Sequence, residues 1–498
     1  MPTLTELRSV VERFIAAAGE PAVLDPGEEP LRLIPEQWSA SEWNGRLVLQ
    51  AWDADRNFVR KITGLKEERR ERLMLVTERF PKAEGELQIA DLAAPRNQEL
   101  QRRASRIAFR DRFRFMLARE FPEWRIEEIS AETNLEQSLT PSWVRAFLRL
   151  GPAGMAAMAA PPDTNDHGRM VAFGLIWLDY LRQREKTLKI NRLLLYAPAH
   201  RESEVAIRAA LIDRTLLDCQ LYIFDERDRV GAVDFKDIGN AKSTLPPCRR
   251  PVAPNSEAPL FPDLPDVERV EQSDGGISLR VKGLEFARWS GGRLTCGITR
   301  RKPCTMETVS ALARELVRVR DDRTDDRRHP LYSQFPEGWL ESQVRANPQA
   351  IDASLLPAPI YGQVPIFGGA DRGVIDLLGI DHTGRLVVIE LKITADPELP
   401  FQALDYWVRV REHLTAGDFE RLGYFPGIRV VRESPRILLV APALEFHSTS
   451  EIVLRFLQPG IDITRIGLAA NWRRELRVMF RLRGAEQPAA GTGPFPPG

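Results

Sequence analysis

The chain has 498 residues, 70 Lys+Arg against 70 Asp+Glu, with 43% of its residues hydrophobic and 28% charged. That balance excludes a disordered or fibrous chain, and the length predicts about three domains, because single hydrophobic cores stop growing well before this size. No apolar run approaches the ~18 residues that a membrane-spanning helix needs. The opening MPTLTELRSVVERF lacks the apolar segment and small-residue cleavage site of a secretory signal. A cytoplasmic protein with no membrane partner is expected. Cys219, Cys248, Cys296 and Cys304 form no CxxC pair, and the six histidines are dispersed without HExxH. Both facts argue against a disulfide framework or a zinc site. Zero net charge removes the simplest argument for nucleic acid without excluding it, since a basic groove can sit on a neutral protein.

In chain order, residues 1–245 alternate helical and strand patterns and are expected to form a mixed α/β domain. An amphipathic start, TELRSVVERFIAAA, precedes the strands RLVLQAWD and GELQIADL and a long arginine-rich helix over 98–120. Phe109, Phe113 and Phe115 recur in that helix at about helical spacing, which predicts core packing ahead of base stacking. WRIEEIS, the helix MVAFGLIWLDYLRQRE, the strand INRLLLYA and a hairpin from CQLYIFD and GAVDFKD follow. The proline-dense stretch 246–268 reads as a linker. Residues 269–330 read as a hairpin, GISLRVKGLEFARW and RLTCGI about a Ser-Gly-Gly turn, then a helix. Phe286 and Trp289 are expected to fill that hairpin's own core. The Pro/Gly/Ala-rich 486–498 should be a disordered tail.

Chemistry appears in 372–410, RGVIDLLGIDHTGRLVVIELKITADPELPFQALDYWVRV. Two apolar runs flank turn residues 381–384, so an antiparallel hairpin is the simplest reading, and each run carries an acid where a buried strand would ordinarily have none. On the second strand Val388, Glu390 and Lys392 share one face, and Val387, Ile389 and Leu391 the other. If the strands pair as the turn implies, Asp376 approaches Glu390 and Lys392. Two carboxylates beside a lysine at the edge of an apolar sheet are costly unless something binds them, and a hard divalent cation is what such a pair would hold. Lysine would then position or deprotonate an attacking water, as phosphodiester hydrolysis requires.

These residues resemble the PD-(D/E)XK nuclease superfamily. Asp376 matches its metal aspartate, Glu390-Leu391-Lys392 its E-x-K tripeptide, and the 14-residue step from Asp376 to Glu390 suits its central hairpin. Gln402 and Tyr406 in QALDY look like the Q-x-x-x-Y helix motif of RecB-like members. Glu341 in WLESQVRANPQAI looks like the first-helix glutamate of NucS-like endonucleases. The resemblance covers 331–485, with Ile375 rather than proline before Asp376 as its one departure. It implies a multidomain α/β protein with a restriction-endonuclease-like αβββαβ core and mixed central sheet. RILLVAP, SEIVLRFL, ITRIGLA and ELRVMFRL supply the remaining elements of that core.

What the resemblance implies is a Mg²⁺- or Mn²⁺-dependent nuclease acting on nucleic acid, DNA first, in repair or defence. Asp376 and Glu390 would hold the metal, Lys392 position water, and Glu341 bind a second metal or water. Gln402 would orient Lys392 or a phosphate, with Tyr406 packed behind. The alternative is a nuclease fold that binds nucleic acid or a protein partner without cutting. A homodimer is compatible with either. Residues 331–484 carry 17 Arg+Lys against 18 Asp+Glu, so bulk charge supplies no affinity there. Arg473, Arg474 and Arg477, with Arg481 and Arg483, are the candidate phosphate-contacting edge, a solvated strand face being the competing reading.

Overall fold

The structure is a computed structural model. It describes residues 3–25, 30–43, 45–53, 56–79, 83–134, 138–164, 167–235, 243–248, 261, 264–271, 275–324, 326–368 and 371–486. The protein is mixed α/β with several sheets. Two compact units divide it, one comprising 1–151, 157–164 and 224–230, the other 152–156, 165–223 and 231–498.

In the first unit the helix Leu4–Ala17 begins at a capping box, in which Thr3 and Glu6 satisfy each other's backbone N–H groups. Its apolar face, Leu7, Val11, Phe14 and Ile15, joins the core of a seven-stranded antiparallel sheet. In space that sheet runs from Leu31–Arg32 through Pro21–Leu24, Ala83–Asp91, Arg72–Arg79, Asn57–Arg69 and Arg46–Trp52 to Trp38–Trp43. The helix Gln98–Glu120 buries Phe109 and Phe113, as their spacing predicts, and leaves Phe115 exposed.

The boundary between the units falls inside the expected 1–245 domain, not at the proline-rich stretch. Ion pairs with at least one buried partner join the helices that follow this boundary to the carboxy-terminal part of the chain. Asp179 on the helix Met170–Arg184 pairs with Arg455 at 3.0 Å, and Arg208 on the helix Glu202–Ala209 pairs with Glu398 and Asp405 at 2.8 and 2.7 Å. These helices are thereby tied to the carboxy-terminal sheet. Most of the expected linker lies outside the described residues, but 245–248 are packed: Leu245 is buried, the Pro246 carbonyl accepts from the Tyr424 hydroxyl, and the Cys248 N–H donates to the Leu422 carbonyl. The expected tail lies outside the described residues from 487 onward.

The expected single arm over 277–290 is two strands, Ile277–Val281 and Leu284–Ser290, because Lys282 and Gly283 both take positive φ (47° and 76°) and turn the chain. A third strand, Arg293–Cys296, follows the Ser-Gly-Gly turn as expected, and the whole is a five-stranded sheet. Phe286 and Trp289 fill its core. A Cβ on Gly283 would lie 2.0 Å from the Gly338 carbonyl oxygen, at a backbone conformation that L side chains rarely adopt. Gly283→Ala is therefore expected to cost more than about 2 kcal/mol, measured as a fall in denaturation midpoint, since neither backbone can yield alone.

In the remainder, elements are numbered from Pro336. Helix α1 (Pro336–Ala346) starts at a proline, which needs no helical N–H partner, and stops before Asn347-Pro348. Strands β1 (Tyr361–Gly368), β2 (Asp371–Ile380) and β3 (Leu386–Leu391) are antiparallel neighbours. The Asp381 carboxylate accepts the N–H groups of Thr383 and Arg385 at 2.9 and 3.1 Å, closing the β2–β3 turn expected at 381–384. Helix α2 (Leu399–Ala416) ends at left-handed Gly417. Strands β4 (Arg436–Pro442) and β5 (Ile463–Leu468) are parallel to β3, with helix α3 (Thr449–Arg455) between them, and β6 (Val478–Arg483) is antiparallel to β5. Ser243–Thr244 adds an edge strand to β1, giving a mixed sheet of seven. Every residue of β3 is buried because helices cover both sides: Trp339, Leu340 and Val344 of α1 share a core with Val387, Ile389 and Leu391, and Val410 and Leu414 of α2 share one with Leu386 and Val388. Among the described residues no helix is long and apolar enough to cross a membrane.

Candidate active site

The last paired residues of the β2–β3 ladder are Leu377 and Ile389. One step further the register sets Asp376 opposite Glu390, on the face that α2 covers. There the strands part, and the Asp376 carboxylate takes over the ladder by accepting the Leu391 N–H at 3.0 Å. Alternation puts Lys392 on the same face as Glu390, and its ammonium lies 3.9 Å from the Glu390 carboxylate. The Lys392 N–H donates to the Val440 carbonyl at 3.0 Å, which holds the backbone in sheet register. Lys392 is the only lysine in 331–484.

Burial dominates the electrostatics. It pushes the Asp376 carboxyl up to about 6, against the opposing pull of the Leu391 N–H and of Lys392. Glu390, 3% exposed, is pushed well above the ordinary carboxyl range by burial and then by Asp376, with Lys392 opposing. Glu337, in the first turn of α1, adds repulsion to both. Two carboxylates thus share one ammonium in a poorly hydrated place, with Glu337 adding negative potential from α1. One Glu390 oxygen, Oε2, is buried with no hydrogen-bond partner, and so is the Gln402 side-chain oxygen. Unpaired buried acceptors of this kind are costly and mark where a cation or a donor would be stabilised.

Gln402 and Tyr406 lie one turn apart on α2, and Tyr406 packs against the core beneath the site. Burial, with Glu390 and Asp376 behind it, raises the Tyr406 hydroxyl so that it stays protonated. Glu341 is buried on α1, the helix on the other face. Its carboxylate receives the Gln363 amide at 2.8 Å and Arg345 at 3.3 Å, and burial raises its pKa. Gly362 lets β1 pass this close, since a Cβ there would lie 2.7 Å from the Glu341 carboxylate. Asp376, Glu390 and Lys392 are therefore brought together as expected, Gln402 and Tyr406 come from α2, and Glu341, held by Gln363 and Arg345, lies near enough to Asp376 for the two carboxylates to repel. The donor set is all oxygen, suited to a hard cation. Among the described residues, no three Asp, Glu, His or Cys side chains are grouped so as to hold a metal by themselves.

Sequence reading missed Glu337 and Gln363. Glu337 carried a signal, being one helical turn before Glu341. Gln363 carried none, because its reach depends on a left-handed backbone (φ 51°) inside a strand. Arg208, which holds Glu398 and Asp405 and so seats α2, was equally silent. Arg208→Met takes the cation at 2.7 Å from Asp405 and leaves Glu398 with Arg169 at 3.9 Å, and it is expected to cost about 3 kcal/mol, read from chemical denaturation, with Arg208→Lys milder.

The candidate basic edge divides. Arg474 and Arg477 are exposed, Arg474 lying 3.9 Å from Asp322, whereas Arg473 is half-buried against aromatic rings. No family model matches the chain, and no curated protein is similar to it.

Proposed function

We propose that the carboxy-terminal part of this chain is a restriction-endonuclease-like domain that hydrolyses phosphodiester bonds of nucleic acid, DNA first, with Mg²⁺ or Mn²⁺. The observation that carries this reading is the meeting of Asp376, Glu390 and Lys392 on one face of the sheet, at the point where β2 and β3 separate. The helix–three-strand–helix–strand order of the domain and the placement of Gln402 and Tyr406 on α2 support it.

In this reading Asp376 and Glu390 hold the metal, whose remaining positions go to water, main-chain oxygen or substrate. When bound, the ion polarises the phosphate and makes a coordinated water more acidic. Lys392 orients that water toward phosphorus and offsets negative charge as it builds. Gln402 presents its side-chain oxygen to Lys392 or its amide to a phosphate oxygen. Tyr406, kept protonated, supports the site from below. Glu341, near Asp376 and held by Gln363 and Arg345, would bind a second metal or water.

Incubation of the full chain with single-stranded, duplex, branched and mismatched DNA and with RNA, with and without Mg²⁺, tests the reading. Metal-dependent cleavage that Asp376→Asn abolishes is expected. A wild type that binds these substrates but cuts none would favour the other reading, a nuclease fold used for binding, for which the engagement of Glu341 by Gln363 and Arg345 is the supporting observation.

A further inference from the structure

Beyond the carboxyl end of β5, which β4 separates from β3 and its Glu390, the chain turns through Trp472 and Arg473. Because β3, β4 and β5 are parallel, their carboxyl ends lie on one edge of the sheet. The Arg473 carbonyl accepts the Gln343 amide of α1 at 2.6 Å, which fixes the turn against the helix that bears Glu337 and Glu341. Its guanidinium carbon lies 4.5 Å from the Trp472 ring centre, 5.4 Å from Tyr332 and 5.6 Å from Trp339. Such stacking holds a planar cation in one orientation at little entropic cost.

This cation has no counter-charge. Among the described residues no carboxylate pairs with Arg473, and its Nε is buried without a hydrogen-bond partner. A second cation backs it: Arg320, fully buried, sits 4.7 Å from the Trp339 ring centre and gives its terminal nitrogens to the carbonyls of Leu331, Gln334 and Lys282. Burial, and then Arg473, lower Arg320 to about 10. Lys282 adds a third positive charge 5.2 Å from the same Trp339 ring centre. Glu268 partly offsets the charge of Arg320, and the positive charge that remains, partly desolvated, is stabilised when an anion arrives.

We propose that Arg473 is a preorganised phosphate contact that receives the nucleic-acid backbone at the same edge of the sheet as the Asp376–Glu390–Lys392 site, on the side where α1 packs. Resting on the nuclease reading, this assignment separates Arg473 from its neighbours: Arg474 and Arg477 are exposed side chains, and only Arg473 is oriented by aromatic rings. The guanidinium fork matches two phosphate oxygens, and phosphate contact of this kind positions the strand without reading its sequence.

The test is the affinity of the full chain for fluorescent single-stranded and duplex oligonucleotides over a NaCl series, with EDTA present so that no strand is cut, alongside cleavage in Mg²⁺. Arg473→Gln is expected to weaken binding about tenfold on every sequence and to reduce the slope of log affinity against log salt by about one. Arg473→Lys keeps the charge and should keep the slope while losing several-fold in affinity. Arg314→Gln, at an exposed arginine of the helix Met306–Val319, should bind like wild type. Unaltered affinity and slope in Arg473→Gln, with wild type still binding and cutting, overturns this assignment and leaves the nuclease reading standing. A loss of affinity with unchanged slope assigns Arg473 a packing role and overturns it too. A wild type that neither binds nor cuts any substrate overturns both.

Discussion

Lys392→Ala is expected to lower Mg²⁺-dependent cleavage by about 10²- to 10⁴-fold, the range for a positioned proton-transfer group, with metal and nucleic-acid affinity nearly unchanged. The reasoning starts from strand geometry. Lys392 follows Glu390 by two residues, so both point to one face, and the ammonium lies 3.9 Å from the carboxylate. Removing it leaves Asp376 and Glu390 in place, and with them the oxygen ligands. Binding and chemistry should therefore come apart, measurable as single-turnover cleavage beside equilibrium binding. Loss of affinity with turnover of bound substrate intact would make Lys392 a phosphate contact and withdraw its role with water.

The second large effect concerns stability. Burial carries the Asp376 carboxyl from 3.8 to about 6 and raises Glu390 further, so in the absence of metal the native state holds protons that the unfolded chain has released. Stability from this site is complete below the unfolded pKa and is lost as pH rises through the native one. The Asp376 contribution falls between pH 4 and 6 and amounts to about 3 kcal/mol. Metal-free wild type should thus melt lower at pH 7.5 than at pH 5. Asp376→Asn, which cannot ionise, should raise the melting temperature at pH 7.5 and flatten the profile. Mg²⁺ or Mn²⁺ should raise wild-type melting at neutral pH by binding the native state. If the double variant Asp376→Asn, Glu390→Gln responds to metal as wild type does, the ion binds elsewhere and the metal assignment to this pair is wrong.

Part of this site was legible because its signals are local. The alternation in RLVVIELK fixes which side chains share a face, the turn at 381–384 fixes the pairing, and an acid in each apolar run is conspicuous against its neighbours. These short-range rules suffice to bring Asp376, Glu390 and Lys392 together, and helical spacing alone sets Gln402 and Tyr406 one turn apart. The Ser-Gly-Gly turn was equally visible. The Lys282-Gly283 turn was not, since a lysine at positive φ has no compositional mark.

What only the tertiary structure decided are the contacts between residues distant in sequence. Gln363 reaches Glu341 because a left-handed residue turns inside β1 where Gly362 leaves room, whereas Arg345 follows Glu341 by one helical turn. Arg208 holds Glu398 at the start of α2 from almost two hundred residues away, and both belong to the second compact unit. The same holds for charge: 331–484 are nearly neutral in sum, yet folding gathers Asp376 and Glu390 about one lysine at the end of β3 and stacks an arginine on aromatic rings beyond the end of β5. Composition counts charges, whereas burial and distance determine what each charge costs and what it will bind.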